Sequence, residues 1–296
     1  MIEVLKKLKV GKIIKNPKMS EYTTYKVGGK ALAIVYPEDI DKLIKLLDYL
    51  KKENIKYKIV GNGSNLIFSD DTYEGVIIKL DEFNNLEIND NIVIVGAGYN
   101  LIKLSLKVAR LGLVGLEFAS GIPGTVGGAV YMNAGAYKSD MGYIVSEIKV
   151  LTPDLKVKTL YNKDLNFHYR SSFLQENPGY ICLEAKIILR KGDSNAILDV
   201  IKERKQRRII TQPLEYPSAG SVFRNPSNDF AGRLIEELGY KGKNIGGAYV
   251  SEKHANFIIN KNNAKASDIR QLIKEIKEKV KEKYDIDLIV EQEFVD

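Results

Sequence analysis

Two glycine-rich stretches are the parts of this chain best suited to hold a ligand. The first is Gly61-Asn62-Gly63-Ser64-Asn65, directly after the strand-like run Lys56–Val60. The second runs from Gly115 to Ala136 and holds six glycines, at 115, 121, 124, 127, 128 and 135. Glycine reaches backbone angles closed to other residues and lets a ligand approach the main chain. N–H groups left free on such turns suit a phosphate or a flat ring system. Asn62, Ser64 and Asn65 add amides and a hydroxyl that can meet a pyrophosphate without a metal. Ile122, Pro123, Val126, Val130 and Met132 lie among the later glycines, whereas a flexible linker would be polar and Ser-rich. No G-x-G-x-x-G opens a helix here, and no G-x-x-x-x-G-K-[ST] occurs. Each stretch also has a purely structural reading: an Asx-rich turn for the first, a tight turn between core elements for the second.

Other groups with reactive or charged side chains lie further along. Phe167-His168-Tyr169-Arg170-Ser171-Ser172 is a short polar insertion. Arg204, Lys205, Arg207 and Arg208 make one helix end basic, which serves either a phosphate or the helix dipole. Between Pro217 and Pro226, Gly220-Ser221 places a hydroxyl on a stiffened turn, but not in a G-x-S-x-G elbow. Glu291 and Glu293 sit in an apolar terminal run, where acids usually alternate outward to solvent.

The elements that must position these groups alternate between strands and helices. Lys18–Gly29 reads as a short strand-like run closed by a glycine pair. Pro37-Glu38-Asp39 opens a helix with Ile40, Leu43, Ile44, Leu47 and Leu50 on one face, closed by Lys51 and Lys52. Strand Val76–Leu80 completes a β-α-β, with the first glycine turn at a strand end, where α/β folds bind ligands. Strand Ile92–Val95 enters Gly96-Ala97-Gly98. A helix carrying Leu101, Leu104, Val108 and Leu111 follows and stops at Gly112. Strands are expected at Val145–Thr152, Lys156–Leu160 and Tyr180–Leu189, and helices at Ala196–Arg208 and Ala231–Leu238. Then come strand Ala255–Asn260, a long helix capped by Ser267 with Ile269, Leu272, Ile273, Ile276 and Val280 inward, and strand Ile286–Val295.

At 296 residues the chain has room for about two domains and a large core. Its hydrophobic fraction of 44% and charged fraction of 28% fit a soluble globular protein, and no apolar run reaches the roughly 18 residues of a membrane helix. The N-terminus lacks the apolar core of a signal peptide. Cys182 is the one cysteine, so no internal disulfide can form and a reducing cytoplasm is expected. The net charge of +7 is spread over helical faces beside Glu, as in Lys274/Glu278 and Glu275/Lys279. That pattern argues for a solvated surface and against a nucleic-acid face, while an anionic small-molecule substrate fits. Neither a membrane partner nor a metal is expected.

Taken in order, several segments resemble the UDP-N-acetylenolpyruvoylglucosamine reductase family. They are Gly61–Asn65, Gly121-Ile122-Pro123-Gly124-Thr125-Val126-Gly127-Gly128-Ala129, Asn133-Ala134-Gly135-Ala136-Tyr137, Tyr169-Arg170, Gly220–Pro226 and the terminal glutamate run. The match runs from about Ser20 onward. It implies an α+β fold with two FAD-binding subdomains of the vanillyl-alcohol-oxidase type, residues 1–84 and 85–195. A third, substrate-binding α+β domain over 196–296 follows, and its last strand returns to the active site. The short span from Arg170 to Tyr180 resembles the subclass without a long tyrosine loop, so no residue is assigned to that tyrosine.

The activity implied is NADPH-dependent reduction of UDP-N-acetylglucosamine enolpyruvate in peptidoglycan precursor synthesis, by a cytoplasmic monomer. Gly61, Asn62, Gly63, Ser64, Asn65, Gly121, Ile122, Pro123, Gly124, Val126, Gly127, Gly128, Asn133, Gly135 and Ala136 would bind FAD. The link would be non-covalent, because neither His168 nor His254 is near Gly61–Asn65. Arg170 would hold the substrate carboxylate as a planar cation, Glu291 would partner the developing oxyanion, and Ser221 would protonate carbon. Tyr169, Arg207, Arg224, Asn225 and His254 would bind substrate, with Arg204, Lys205 or Arg207 at the diphosphate. Two other readings stand beside this one. A sugar-alcohol-oxidase-type flavoenzyme is the nearer, although many of those attach FAD through a histidine. A non-catalytic nucleotide-binding module is the other, and it gives Arg170, Ser221 and Glu291 no reason to converge.

Overall fold

A computed structural model describes residues 1–296. The chain forms two compact units. One comprises Met1–Lys15, Ala33–Asn62 and Gly75–Lys205; the other comprises Asn16–Leu32, Gly63–Glu74 and Gln206–Asp296.

The first unit is built on two sheets. One has strand order Gly11–Lys15, Ala31–Pro37, Tyr73–Ile78, Lys56–Ile59. Its first pair is antiparallel, while Lys56–Ile59 runs parallel to Tyr73–Ile78. Helix Ile40–Lys52 connects Ala31–Pro37 to Lys56–Ile59. Asp39 accepts the Lys42 N–H at 2.8 Å at its start, and Leu43, Leu46, Leu47 and Leu50 are buried. Burying each leucine fully contributes about 1.5–3 kcal/mol, which makes this face the anchor of the helix. The other sheet is antiparallel, in the order Val157–Tyr161, Val145–Leu151, Ile181–Ile188, Ile92–Gly96, Leu86–Asn89. Val93, Val95, Ile148, Val150, Ala185 and Ile187 form its buried face. Helix Leu101–Arg110 follows Ile92–Gly96 at the expected place, and Asn100 caps it through the Lys103 N–H.

The second unit packs helices Ala231–Glu237 and Ala266–Tyr284 with an antiparallel sheet of Asn244–Ile245, Ala248–Val250 and Ile258–Asn260. Ile269, Leu272, Ile273, Ile276 and Val280 face its core, as the sequence period requires. Leu66–Phe68 pairs in parallel with Glu293–Val295. No helix of either unit is long and apolar enough to cross a membrane.

Several expectations give way. Lys18–Gly29 is not a strand. A 3-10 turn at Met19–Glu21 folds it back, and the Met19 N–H donates to the Gly29 carbonyl at 2.7 Å. The strand expected over Ile286–Val295 shrinks to Glu293–Val295, because the preceding residues lie beside an irregular segment and pair only through an isolated Phe223–Val290 bridge. The strand expected at Ala255–Asn260 begins only at Ile258. Ser267 does not cap the long helix, which starts at Ala266; Asp268 accepts the Lys265 N–H at 3.0 Å, and Asp70 caps the first turn. The Asp70 carboxylate accepts from the Ala266 N–H at 2.7 Å, the Ser267 N–H at 2.9 Å and the Ser267 hydroxyl at 2.8 Å.

Asp70 makes stability depend on pH. Burial pushes its carboxyl up, but the Ser267 and Ala266 donors and the Lys265 charge outweigh burial and hold it below the usual carboxylate value. A group depressed in the folded state stabilises above its unfolded pKa, and that contribution is lost as pH falls through its folded pKa. Asp70→Ala should lower stability by about 0.5–2 kcal/mol at pH 7, the range for a lost N-cap. In urea melts the gap to the native protein should narrow as pH drops below about 4. A gap that stays constant from pH 7 to pH 3 would refute this account.

Candidate active site

In the first unit the two glycine turns meet. A side chain at Gly61 would bring Cβ to 2.6 Å from Thr125 Oγ1, so the Gly61 backbone lies against the Thr125 side chain. Lys79, only 7% exposed, donates to the Gly61 carbonyl at 2.5 Å. The sequence reading missed Lys79, although a lysine at the end of the run Val-Ile-Ile was its signal. The later stretch is seated on a third glycine turn, Gly96-Ala97-Gly98. Val126 N–H donates to the Tyr99 carbonyl at 2.9 Å, Gly127 N–H to the Ala97 carbonyl at 2.8 Å, and Leu101 N–H to the Gly124 carbonyl at 3.0 Å. Thr125 Oγ1 accepts the Gly128 N–H at 3.3 Å at the start of helix Val126–Tyr131. These donors were expected to stay free for a ligand. Three of them are bonded within the chain, because the short helix needs its first turn closed.

What the stretch leaves open is space. A Cβ at Gly124 would meet nothing within 4 Å, and the residue does not occupy the left-handed region. The fold therefore has no need of glycine at 124, whereas a ligand passing close to the main chain would.

Arg170 sits at a tight reversal of the same unit. His168 and Ser171 exchange backbone hydrogen bonds at 3.1 Å, and Arg170 between them has φ 58°. A non-glycine residue in that region carries backbone strain, which often marks a functional position. Its Nη2 donates to the Gly135 carbonyl at 2.8 Å, and its guanidinium lies 5.0 Å from the centre of the Tyr169 ring. Burial pushes the Asp140 carboxyl up, against the pull of the Gly142 and Tyr143 N–H groups and the Arg170 charge. Asn133 is fully engaged nearby: Nδ2 donates to the His168 carbonyl at 2.8 Å and Oδ1 accepts the Gly142 N–H at 2.9 Å. It shapes the loop that presents Arg170. Arg204 stacks 4.5 Å from the centre of the Tyr137 ring.

Gly63, Ser64 and Asn65 belong to the second unit. Gly63 has φ +62°, and a Cβ there would strike the Tyr22 carbonyl at 2.4 Å, so glycine is required on both counts. Asn65 Nδ2 donates to the Glu291 carbonyl at 3.0 Å, and its own carbonyl accepts the Glu293 N–H at 2.9 Å. The turn thus holds the segment that carries both glutamates.

The segments that carry Ser221 and Glu291 pair through their backbones in this unit. The Glu291 N–H donates to the Val222 carbonyl at 2.8 Å, and the Arg224 N–H to the Ile289 carbonyl at 2.9 Å. Glu291 and Glu293 are half-buried, with the buried Gln292 between them. Asn256, 4% exposed, clamps the residues after Ser221. Its Oδ1 accepts the Phe223 N–H at 2.9 Å, its Nδ2 donates to the Phe223 carbonyl at 2.8 Å, and its carbonyl accepts the Val222 N–H at 2.9 Å. Sequence reading missed Asn256. Its only signal was an amide set among Ala255, Phe257 and Ile258.

His254 Nδ1 accepts the Asn256 N–H at 3.2 Å, which leaves the ring proton on Nε2. Burial holds the ring below its ordinary pKa, so it is neutral at pH 7. Asn225 Oδ1 accepts the Ala231 N–H at 3.1 Å and so caps helix Ala231–Glu237. Arg207 is exposed on helix Ser194–Thr211, and Arg208 Nε donates to Gln212 Oε1 at 3.0 Å. Arg170 belongs to the first unit, and Ser221 and Glu291 to the second.

Comparison with known proteins places this arrangement. A model of the UDP-N-acetylenolpyruvoylglucosamine reductase C-terminal domain matches residues 212–295, and a model of an FAD binding domain matches residues 31–161. The UDP-N-acetylenolpyruvoylglucosamine reductase of Anoxybacillus flavithermus is 46% identical over 294 residues, covering 99% of this chain and 97% of that protein. The chain belongs to the UDP-N-acetylenolpyruvoylglucosamine reductase family. The Bacillus subtilis reductase is 43% identical over 296 residues, covering 100% of this chain and 98% of its own. A solved reductase of the family, from Thermus caldophilus, superposes with a TM-score of 0.82 at 34% identity, covering 96% of this chain and 98% of that one. The two matched ranges contain the glycine turns and the segments that carry Ser221 and Glu291.

Proposed function

We propose that this chain reduces UDP-N-acetylglucosamine enolpyruvate to UDP-N-acetylmuramate, with FAD held non-covalently and NADPH as reductant. Near-full-length identity to curated reductases carries the reading. The residues present fit FAD: Gly61 and Thr125 bring two backbone turns together, and Gly124 leaves open space beside the main chain. Bound FAD would supply the hydride that adds to the enolpyruvyl double bond.

The chain's residues manage charge and protons. Hydride addition leaves negative charge on the carbon next to the carboxylate, shared with it as an enediolate. Arg170, a fixed planar cation, would bind that carboxylate. Glu291 would share a proton with the developing oxyanion; the Asn65 side-chain amide, donating to the Glu291 carbonyl, and the Val222 carbonyl, accepting the Glu291 N–H, hold its segment in place. Ser221 would deliver the proton to carbon, which a weak acid can do only when positioned. Tyr169, Arg207, Arg224, Asn225 and His254, with Arg204 or Lys205, are the proposed contacts for the rest of the substrate. His254 would serve as a neutral Nε2–H donor.

The domain division 1–84, 85–195 and 196–296 belongs to the same proposal. The four-stranded sheet lies within the first span and the five-stranded sheet within the second, which supports that boundary. A monomer and a cytoplasmic location are also proposed, and the lone buried Cys182 is compatible with a reducing compartment.

An absorbance spectrum tests the function. The purified protein should be yellow, bleach with NADPH and regain its colour on adding the enolpyruvyl sugar. Acid precipitation should leave the colour in the supernatant. A colourless protein that cannot take up FAD ends the reading.

The glutamate assignment has its own test. Glu291→Gln should slow turnover by about 10²–10³-fold, as for other lost groups at a developing oxyanion. Glu293→Gln is the comparison. If Glu293→Gln alone has the large effect, the role moves two residues along.

A further inference from the structure

Gln292 stands between the two glutamates and is 4% exposed. Its Nε2 donates to the carbonyls of Ala219 and Gly220, each at 3.2 Å. These are the two carbonyls immediately before Ser221. Ala219 is 3% exposed and packs in the core of the second unit, but Gly220 brings no side chain to the turn. Gly220 has φ +75°, and a Cβ there would meet nothing within 4 Å. At Gly220 itself the turn is therefore held by hydrogen bonds and not by side-chain packing. The residues after Ser221 are already fixed by Asn256. Gln292 supplies the corresponding hold on the residues before it.

The surroundings favour a rigid hold. Tyr25, fully buried, lies beside Gln292, and burial keeps its phenol neutral and well above its ordinary pKa. A buried amide carries a desolvation penalty unless its polar atoms are bonded. An apolar side chain would fill the site without that penalty, so the amide's use lies in the two carbonyls it holds.

We propose that Gln292 is a positioning residue for proton delivery, fixing the Ala219–Gly220 turn from which the Ser221 hydroxyl projects. The inference rests on the reading of Ser221 as proton donor. A serine works as an acid only in a narrow geometry, so a small displacement of its backbone should slow that step alone.

The test uses the FAD-loaded enzyme carrying Gln292→Met, which keeps the side chain's size and removes both donors. The step driven by the enolpyruvyl sugar should slow by about 10–10²-fold while the NADPH step stays near native. A double variant with Ser221→Ala should be no slower than Ser221→Ala alone, because both changes act through one hydroxyl. Amide hydrogen exchange in residues 218–222 should quicken by about tenfold or more without a general rise across the second unit. If Gln292→Met does not fold, Gln292→Asn, which is too short to span both carbonyls, gives the same readouts. A native sugar step in Gln292→Met beside a slow one in Ser221→Ala would overturn the proposal alone. Multiplying effects in the double variant, or unchanged exchange, would do the same. A Ser221→Ala enzyme that slows neither step, or both equally, would overturn the Ser221 reading and this proposal with it.

Discussion

Ser221→Ala should slow the enolpyruvyl-sugar half-reaction by about 10²–10⁴-fold, the range for lost general acid catalysis, and leave the NADPH half-reaction near its native rate. The split follows from what each step needs. Reduction by NADPH protonates no substrate carbon, so it makes no demand on Ser221. The later step does. The alternative is that the hydroxyl only stabilises its turn. That role would cost about 1 kcal/mol of stability and disturb both steps mildly. The Ser221 backbone argues for a defined placement, since buried amides fix the residues on both sides of it. Stopped-flow absorbance separates the two steps, and equal slowing of both would rule out proton delivery.

Gly124→Val should abolish retention of FAD while leaving the fold intact. The backbone at 124 is open to any L-residue, and the space where a Cβ would lie holds no protein atom within 4 Å. A Cβ is therefore tolerated at 124, and replacing glycine by alanine at such a site can even stabilise by about 0.4–1 kcal/mol through the unfolded state. The valine would occupy space proposed for the cofactor. At equal protein concentration, bound flavin should fall at least tenfold with the far-UV circular dichroism and urea midpoint near native. A yellow Gly124→Val protein with full FAD content would show that the space serves something else. Gly127 could not make this distinction, because a Cβ there would lie 2.8 Å from the Ala97 Cβ and damage the packing directly.

Strong periodicity made much of this fold legible. Helices Ile40–Lys52 and Leu101–Arg110 appear where their leucines recur, because one apolar face must be buried and only one set of residues can supply it. The failures share a cause. Ser267 looked like a cap because it is a local hydroxyl at a helix start, yet the first turn is capped by Asp70, 196 residues before Ala266. Asn133 and Asn65 belong to the proposed cofactor site, and the structure adds that both side chains also bond to the chain itself. An amide in a motif does not reveal whether it faces a ligand or the backbone of a distant loop. Asn256, Lys79 and Gln292 were overlooked for the same reason, since their partners lie far away in sequence.

The second unit draws on three separate lengths of chain, Asn16–Leu32, Gly63–Glu74 and Gln206–Asp296. Strand Leu66–Phe68 finds its partner only at Glu293–Val295, and Asn65 its partner Glu291 226 residues later. On the ribosome, a strand made early must therefore wait with its edge unpaired until almost the whole of this sequence has emerged. Closing so long a loop adds little to the equilibrium cost but delays assembly, because non-local pairing comes late. The nascent chain thus carries an exposed, apolar strand edge through most of its synthesis, the kind of surface that binds other chains and that chaperones cover.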